Sequence, residues 1–281
     1  MSASSSGDSN ALGRRLPAGR KADLAAYVFE VGLVTVAQLA ERFDVSLDTI
    51  RRDLDQLDAD GVIIRTHGGA VSPTGLPRPD TGLDVRRRVQ TKAKERIGAL
   101  AAALVDDGSA LLVNAGTTTL AVVRHLRHRR DLTVATNNLL LPAEISPKAF
   151  RELYVFGGAV RLSAMATIGP VAFPNTLNGV HVDIRGDLAL IAVGAVSTDM
   201  GYSTSNIGEA AMMREMMDRA TRVAILADSS KFGRRLFAQV AGLARADYLV
   251  TDTAPPPELA EALRRHHVEV LTPTQAPTAG S

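Results

Sequence analysis

The chain has 281 residues, of which 46% are hydrophobic and 22% charged, a composition typical of a globular protein with one or two domains. It contains no cysteine, which excludes disulfides, thiolate metal sites and thiol redox chemistry, and this predicts a cytoplasmic protein. The net charge is only +2, and the longest apolar runs, such as residues 188–196, are far shorter than the roughly 20 residues that span a bilayer. We therefore expect no membrane partner.

The first residues of the chain, 1–19, are rich in Ser, Gly and Ala and lack the apolar stretch of a signal peptide. We expect a disordered arm. Its Arg14 and Arg15 fit two interpretations equally well, a basic arm that contacts an anionic partner and a tail without a role.

Three short helices are predicted between residues 20 and 60. Thr35 and Ser46 stand at the N-cap positions of the second and third helix, and Gly61 follows the third as a C′ residue. Their buried faces are predicted from apolar residues at helical spacing, which are Leu24, Val28 and Val31, then Val36, Leu39, Ala40 and Phe43, and finally Ile50, Leu54 and Leu57.

The short connection between the second and third helix, Asp44 and Val45, is typical of a helix-turn-helix, whose second helix enters the DNA major groove. Two β-prone runs then flank Gly68 and Gly69 and predict a hairpin. The sequence therefore predicts a winged helix-turn-helix over residues 20–71.

The exposed face of the third helix is predicted to carry Asp48, Thr49, Arg51 and Arg52. Arg pairs bidentately with guanine or holds a phosphate, and Thr reaches bases or backbone. A solvated charged helix face is the better interpretation of Arg-Arg-Asp taken alone, but three ordered helices and a hairpin together favour a DNA interface. Basic and acidic residues are equal in number over residues 1–90, so we expect modest binding by one copy and a homo-oligomer, either a dimer or a tetramer.

Residues 72–82, SPTGLPRPDTG, are too rich in Pro and Gly for a helix or a central strand, and we expect an interdomain linker there. A second domain over residues 83–271 begins with a helix at residues 91–104 and then alternates apolar runs with helical segments, which predicts a mostly parallel α/β sheet. Residues 272–281 are expected to form a tail. The predicted strands are 110–113, 132–136, 153–156, 188–193, 223–227, 248–251 and 268–271, and the other helices are 120–126, 209–219 and 258–265.

Polar or Gly-rich loops follow four of these strands, at the sheet edge where parallel folds bind ligands. The first, from Asn114 to Thr119, contains Gly116, Thr117 and Thr118 and opens a helix, which is typical of a phosphate cradle and equally of a Gly turn with Thr caps. Lys231 adds a compact cation. The residues of the other loops that we expect at one convergent site are Asn137, Gly157, Gly158 and Asp228.

Two blocks of sequence resemble the DeoR family of bacterial transcription regulators. The run VSLDTIRRDLDQLDADGVIIRTHGGAV is similar to the family's DNA-binding domain. The motifs AGTTTL, TNN, FGGAV, GYSTSN, ADSSKFG and ADYLVTD, in this order, are similar to its C-terminal effector domain, whose fold resembles ribose-5-phosphate isomerase and glucosamine-6-phosphate deaminase. The resemblance covers residues 20 to about 252.

This resemblance implies a repressor of a carbohydrate or polyol operon that binds a DNA operator and a phosphorylated sugar-type effector. Ser46, Thr49, Arg51 and Arg52 are then expected to face DNA, with Arg65 and His67 on the wing. The residues expected at the effector phosphate are Gly116 to Thr119 and Lys231, and the rest of that site is expected to consist of Asn137, Gly157, Gly158 and Asp228. The residues do not distinguish repression from activation.

Asn114 departs from the family pattern, which has Asp at this position. The neutral amide indicates either a different effector preference or a loop that has drifted from sugar-phosphate binding. The departure also weighs against the alternative function, an isomerase or deaminase with an attached DNA-binding module, because Asn is no base for enediol chemistry. The remaining acids, Asp183, Asp187, Glu209 and Asp228, form no catalytic arrangement in the sequence.

We therefore expect no catalytic residues and no cofactor. A metal site is not expected either, since the pairs His125/His128 and His266/His267 lack a third ligand at suitable spacing. A protein that organises DNA without any effector is a further alternative, but it leaves the four strand-end loops without a role.

Overall fold

The computed structural model describes residues 17–73, 83–174 and 181–273. The chain divides into two compact units, Met1–Gln90 and Thr91–Ser281, and each is described by itself. The expected arm lies outside the described residues up to residue 16, as do residues 74–82 of the expected linker and residues 274–281 of the expected tail.

The first unit is a winged helix-turn-helix, as the sequence predicts. Its sheet has the antiparallel order β1-β3-β2, and β1 is an additional strand that the sequence did not indicate. Its elements are α1 (Pro17–Val31), β1 (Leu33–Thr35), α2 (Val36–Phe43), α3 (Leu47–Ala59), β2 (Ile64–Thr66), β3 (Gly69–Val71) and α4 (Leu83–Arg88).

Three helices and the hairpin close one hydrophobic core in this unit. Leu24, Leu39, Ile50 and Leu54 are fully buried in it, so the predicted apolar faces are confirmed except at Val31, which is 48% exposed. Thr35 forms a capping box with Gln38, and Asp44 adopts a left-handed conformation that ends α2.

Two predicted boundaries of this unit differ from the structure. Helix α1 begins at Pro17, inside the expected arm of residues 1–19, because Pro has no N–H to lose at the first position of a helix. Residues 83–90, which were predicted to open the second domain, belong to the first unit, where Val85 and Val89 pack against Ile64 and Val71. The expected linker also begins in the first unit, since Ser72 is buried and its N–H donates to Gly32 O.

The second unit is built on a seven-stranded sheet whose strand pairs are all parallel, in the order β17-β16-β14-β11-β4-β5-β6. All seven predicted strands lie in it, which confirms the α/β class. The strands of this sheet are β4 (Ala110–Val113), β5 (Leu132–Thr136), β6 (Phe150–Val155), β11 (Gly186–Ala192), β14 (Ala220–Leu226), β16 (Tyr248–Val250) and β17 (Glu269–Leu271).

Helices cover both faces of this sheet because its strands are apolar on both sides. In β11, for example, Leu188 and Leu190 face one core while Ala189 and Ile191 face the other. The first of these cores contains α5 (Thr91–Ala103), α6 (Thr117–His125) and α7 (Leu141–Glu144), and the second contains α8 (Ile207–Asp218) and α9 (Pro257–Arg265).

Short antiparallel ladders, which the sequence did not predict, complete the second unit. They are β7 (Ala159–Arg161) with β8 (Ala166–Ile168), β9 (Phe173–Pro174) with β10 (His181–Val182), and β12 (Ala195–Ser197) with β13 (Gly201–Thr204) and β15 (Ala238–Ala241). None of the described helices in either unit is long and apolar enough to cross a membrane.

Candidate DNA interface and effector site

The third helix of the first unit begins at a well-formed cap. The Ser46 hydroxyl accepts a hydrogen bond of 3.2 Å from the Thr49 N–H and lies 2.9 Å from the Thr49 hydroxyl oxygen. Both side chains are therefore held at the N-terminal end of α3, the end that enters the major groove in this class of motif.

The exposed face of α3 carries the predicted charged residues. Asp48 and Arg51 form an exposed ion pair of 2.8 Å. The Arg52 side chain is exposed and makes no hydrogen bond or ion pair with another residue of the described ranges. This face therefore presents one guanidinium that is already engaged and one that is available to a partner.

The wing residue Arg65 is turned toward α3. Its guanidinium donates to Arg51 O at 3.0 Å and lies 3.3 Å from the Asp55 carboxylate. His67 stands exposed between β2 and β3. Arg65 therefore fixes the wing to the recognition helix, whereas His67 is open to solvent.

Two acidic residues on α3 that the sequence did not single out hold the helix in place. Asp53 is buried and accepts from the Arg20 guanidinium at 2.7 Å, which ties α1 to α3. Asp58 accepts from the Arg65 N–H at 2.9 Å and from Arg88 at 2.7 Å. Burial raises the pKa of Asp58, but the hydrogen bonds from Arg88 and Arg65 outweigh it and hold the pKa below its ordinary value. The burial of Asp53 could have been predicted from the sequence, since this residue falls on the apolar face of the helix.

In the second unit, Asn114 connects the ends of two central strands. Its side-chain amide donates to Ala192 O and accepts from Ala192 N, both at 2.8 Å, and the residue is almost fully buried. An ionised Asp can accept from this N–H but has no proton for the carbonyl. The amide therefore joins the end of β4 to the end of β11. Nothing in the sequence indicated this contact.

The loop after Asn114 leads directly into α6. Gly116 lies so close to β11 that a Cβ atom would stand 2.9 Å from the Ala192 methyl group. The hydroxyl of Thr119 is buried and shares its one proton between Asn114 O at 2.9 Å and Gly116 O at 2.8 Å. Thr117 and Thr118 occupy the first turn of the helix, whose N–H groups have no acceptor within the helix.

Asn137 is also engaged with backbone groups at the end of its strand. Its side chain accepts from the Ala115 N–H at 2.7 Å and donates to Thr167 O at 2.9 Å. Thr167 in turn donates to Phe156 O. The loops after β4, β5 and β6 are thus joined side by side by these hydrogen bonds.

Gly157 and Gly158 form the turn between β6 and β7. Gly158 has a φ of +131°, and a Cβ there would lie 2.2 Å from Ile168 O, so only glycine fits. Gly157 is exposed, with open space where a Cβ would stand.

The fourth predicted loop lies further along the same edge, because β11 stands between β14 and β4. Asp228 is buried and accepts from the Ser230 N–H and hydroxyl, which caps a short turn at Ser229–Lys231. Lys231 is half-buried on this turn, and a backbone hydrogen bond from Gly233 N to Val196 O holds the loop beside the extension of β11.

Two basic residues near these loops were not predicted from the sequence. Arg161 on β7 forms an ion pair of 2.7 Å with Glu209 in the first turn of α8, and Glu209 also accepts from the Thr204 hydroxyl. Arg234 is half-buried, three positions after Lys231. In the described parts of the chain, His, Asp and Glu form no group of three that could hold a metal ion.

Comparison with known proteins identifies both units. Residues 20–75 match the DeoR-like helix-turn-helix domain, and residues 89–253 match the DeoR C-terminal sensor domain. Among solved structures, a ribose 5-phosphate isomerase from Methanocaldococcus jannaschii shares 15% sequence identity, with a TM-score of 0.33 and coverage of 50% of this chain and 53% of that one.

The curated relatives cover nearly the whole chain. The HTH-type transcriptional repressor GlcR of Bacillus subtilis (strain 168) is 35% identical over 86% of this chain and 91% of its own length. The glycerol-3-phosphate regulon repressor of Escherichia coli (strain K12) is 30% identical over 86% of this chain and 94% of its own. Because both family domains match in order and these relatives are at least 30% identical over most of the chain, the protein belongs to the DeoR family of DNA-binding transcriptional repressors.

Proposed function

We propose that the protein represses a carbohydrate or polyol operon in the cytoplasm and that a phosphorylated sugar-type effector changes its affinity for the operator. The observation that carries this proposal is the exposed face of α3, which presents Arg51 and Arg52 and packs its other face into a closed core. The same chain contains a parallel sheet whose strand-end loops are joined by hydrogen bonds.

The protein acts on the operator as a homo-oligomer. The first 90 residues carry equal numbers of acidic and basic side chains, so one copy gains little from the general attraction to phosphates. Two copies present paired recognition helices to half-sites about one helical turn apart, or at multiples of that distance. A dimer is the smallest assembly that meets this requirement, and a tetramer also meets it.

The effector phosphate is bound at the N-terminus of α6. Gly116, Thr117 and Thr118 supply N–H groups and the helix dipole favours an anion, while Lys231 supplies a positive charge from further along the edge. The Escherichia coli relative named for the glycerol-3-phosphate regulon supports a phosphorylated polyol or sugar as the ligand class.

The other predicted effector residues shape this site. Three of them hydrogen-bond through their side chains to backbone atoms of these loops, namely Asn114, Asn137 and Thr119. Asp228 caps its own turn. Asn in place of the family's Asp at residue 114 therefore changes how the loop after β4 is held against β11. The effector can shift the protein from one conformation to another only by the difference between its affinities for the two conformations.

The alternative, an isomerase or deaminase, needs a carboxylate base at the substrate. Asp228 accepts hydrogen bonds within its own turn, and Glu209 is paired with Arg161, so neither is placed as such a base. We expect no turnover of ribose 5-phosphate or glucosamine 6-phosphate in a coupled assay. Turnover that is lost in a Glu209→Gln variant would establish the alternative.

The primary test is binding of the full-length protein to DNA from upstream of its own gene. Salt is fixed because phosphate contacts make the affinity steeply salt-dependent. Glycerol 3-phosphate, a panel of sugar phosphates and their unphosphorylated parents are added in turn. A change of affinity with a phosphorylated compound alone supports the proposal, whereas specific binding that no compound alters contradicts the effector assignment.

Single variants separate the two sites. We expect Arg52→Ala to weaken operator binding by about 1–3 kcal/mol if it reads a base. Lys231→Ala is expected to retain operator binding and lose the effector response, while the exposed Lys148→Ala serves as a control for removal of one lysine. Loss of operator binding in folded Lys231→Ala would show that this residue is wrongly assigned.

A further inference from the structure

The short helix α4 packs on the wing of the first unit. Val85 and Val89 contact a small apolar cluster with Ile64 and Val71, and Val89 is almost fully buried. The helix therefore covers the side of the hairpin that would otherwise expose Ile64 and Val71. These contacts stand outside the main core of the unit, which contains α1, α2 and α3.

An ion pair adds to this packing. The Arg88 guanidinium donates to both carboxylate oxygens of Asp58, at 2.7 and 3.3 Å. The same carboxylate accepts from the Arg65 N–H at 2.9 Å. Asp58 thus joins three elements at one point, which are the C-terminal part of α3, the first wing strand and α4.

The chain leaves the first unit directly after this point. The Gln90 N–H donates to Pro73 O, which ties the residues after α4 to the residue that follows Ser72. Thr91 is then the first residue of the second unit.

We propose that Arg88 is a positioning residue for operator recognition. Through Asp58 it holds α3 and the wing in the one relative arrangement that fits the major groove and the adjoining backbone. The role rests on the proposed function, because it concerns the quality of operator binding. Arg88 itself makes no base contact in this scheme, and the residue that it acts on is Asp58.

The experiment measures the affinity of the full-length protein for operator and for random DNA over a series of salt concentrations. Arg88→Ala removes the guanidinium, and Asp58→Asn removes the ion pair while keeping an acceptor for the Arg65 N–H. We expect each variant to bind operator about three- to fivefold more weakly, the effect of losing a partly exposed ion pair. The double variant is expected to lose no more than either single one, because the two residues act as a unit.

Two readouts separate positioning from other roles. A general loss of stability leaves the ratio of operator to random DNA affinity unchanged, whereas a positioning residue lowers that ratio in protein whose melting temperature is well above the assay temperature. A phosphate contact by Arg88 would reduce the slope of log K against log salt by about 1 in Arg88→Ala alone, while Asp58→Asn would leave operator affinity unchanged or raise it. That pattern overturns the proposal.

A matched control comes from the second unit. Arg264 and Glu261 form an exposed ion pair of the same 2.7 Å length, and Arg264→Ala and Glu261→Gln change the charge by the same amounts. We expect both controls to bind operator like the wild type. Equal weakening in the controls, or unchanged binding in Arg88→Ala and Asp58→Asn, would refute the role of Arg88. If the wild type binds no operator specifically, the proposed function itself fails.

Discussion

Asn114 links two parallel strands through the two polar atoms of its amide, at a position where the DeoR pattern leads one to expect Asp. Both atoms bond to the same residue, Ala192, at 2.8 Å. Whether such an amide serves the backbone or a ligand cannot be read from the sequence, since both uses require the same residue type. We propose that the departure changes how the loop is held and does not change the chemistry offered to a ligand.

An Asn114→Asp variant tests this interpretation. An ionised carboxylate would place an oxygen against Ala192 O and lose a buried hydrogen bond, at a cost of about 1–3 kcal/mol at pH 7. Burial raises the pKa of the new carboxyl in the folded state, so the protonated form, which can donate, recovers as the pH falls. Urea unfolding of the variant and wild type between pH 4.5 and 8 should show a deficit that grows with pH. A deficit that is constant over this range would rule out the proposed bond.

The glycine pair after β6 offers a matched comparison. In Gly158→Ala, the new methyl group meets Ile168 O and the backbone is strained, so we expect a loss of about 2 kcal/mol or more in the free energy of unfolding. Gly157→Ala has open space and should change stability by less than about 0.5 kcal/mol. Thermal unfolding of the two variants measures the difference, and equal losses would contradict this geometry.

At the scale of elements, the sequence predicted the helices and strands that are marked by a clear pattern of apolar residues. Strands β4 and β5 were predicted with the bounds that they have in the structure, because β4 is a continuous apolar run and β5 is mostly apolar, with Thr as its only other residue type. The ladders β7–β8 and β12–β13–β15 were missed, since each of these three- or four-residue strands contains at least one polar residue and none forms a continuous apolar run. Residues 83–90, which contain α4, were assigned to the second domain without a helix of their own, because the arginine run 86–88 gives no indication of which core these residues join.

The N-cap of α3 combines a structural and a proposed DNA-binding role, and two substitutions distinguish them. Ser46→Ala should lower the stability of the first unit by about 1 kcal/mol, because the Thr49 N–H loses its acceptor. Ser46→Asp retains a cap but brings a negative charge toward DNA phosphates. We expect the Asp variant to be as stable as the wild type and to bind operator more weakly. Operator binding at wild-type strength would place Ser46 away from DNA.

At the scale of the whole molecule, the two units contain separate hydrophobic cores. Leu39 is fully buried in the first and Leu190 in the second. Truncating either to Ala should cost about 2–5 kcal/mol, and each should lower the melting temperature of its own unit alone. Calorimetry of the full-length variants measures this. A single transition that both variants shift equally would show that the units unfold together.

The division of the chain at Gln90 and Thr91 also has a practical consequence for hybrid regulators. A designer guided by sequence would join a foreign sensor at the Pro-rich segment directly after the hairpin. That junction would discard Val89 and Arg88, which cover Ile64 and Val71 and pair with Asp58. A transplantable DNA-reading module of this protein therefore extends through Gln90, and fusions made after that residue should retain their target sequence where shorter ones lose it.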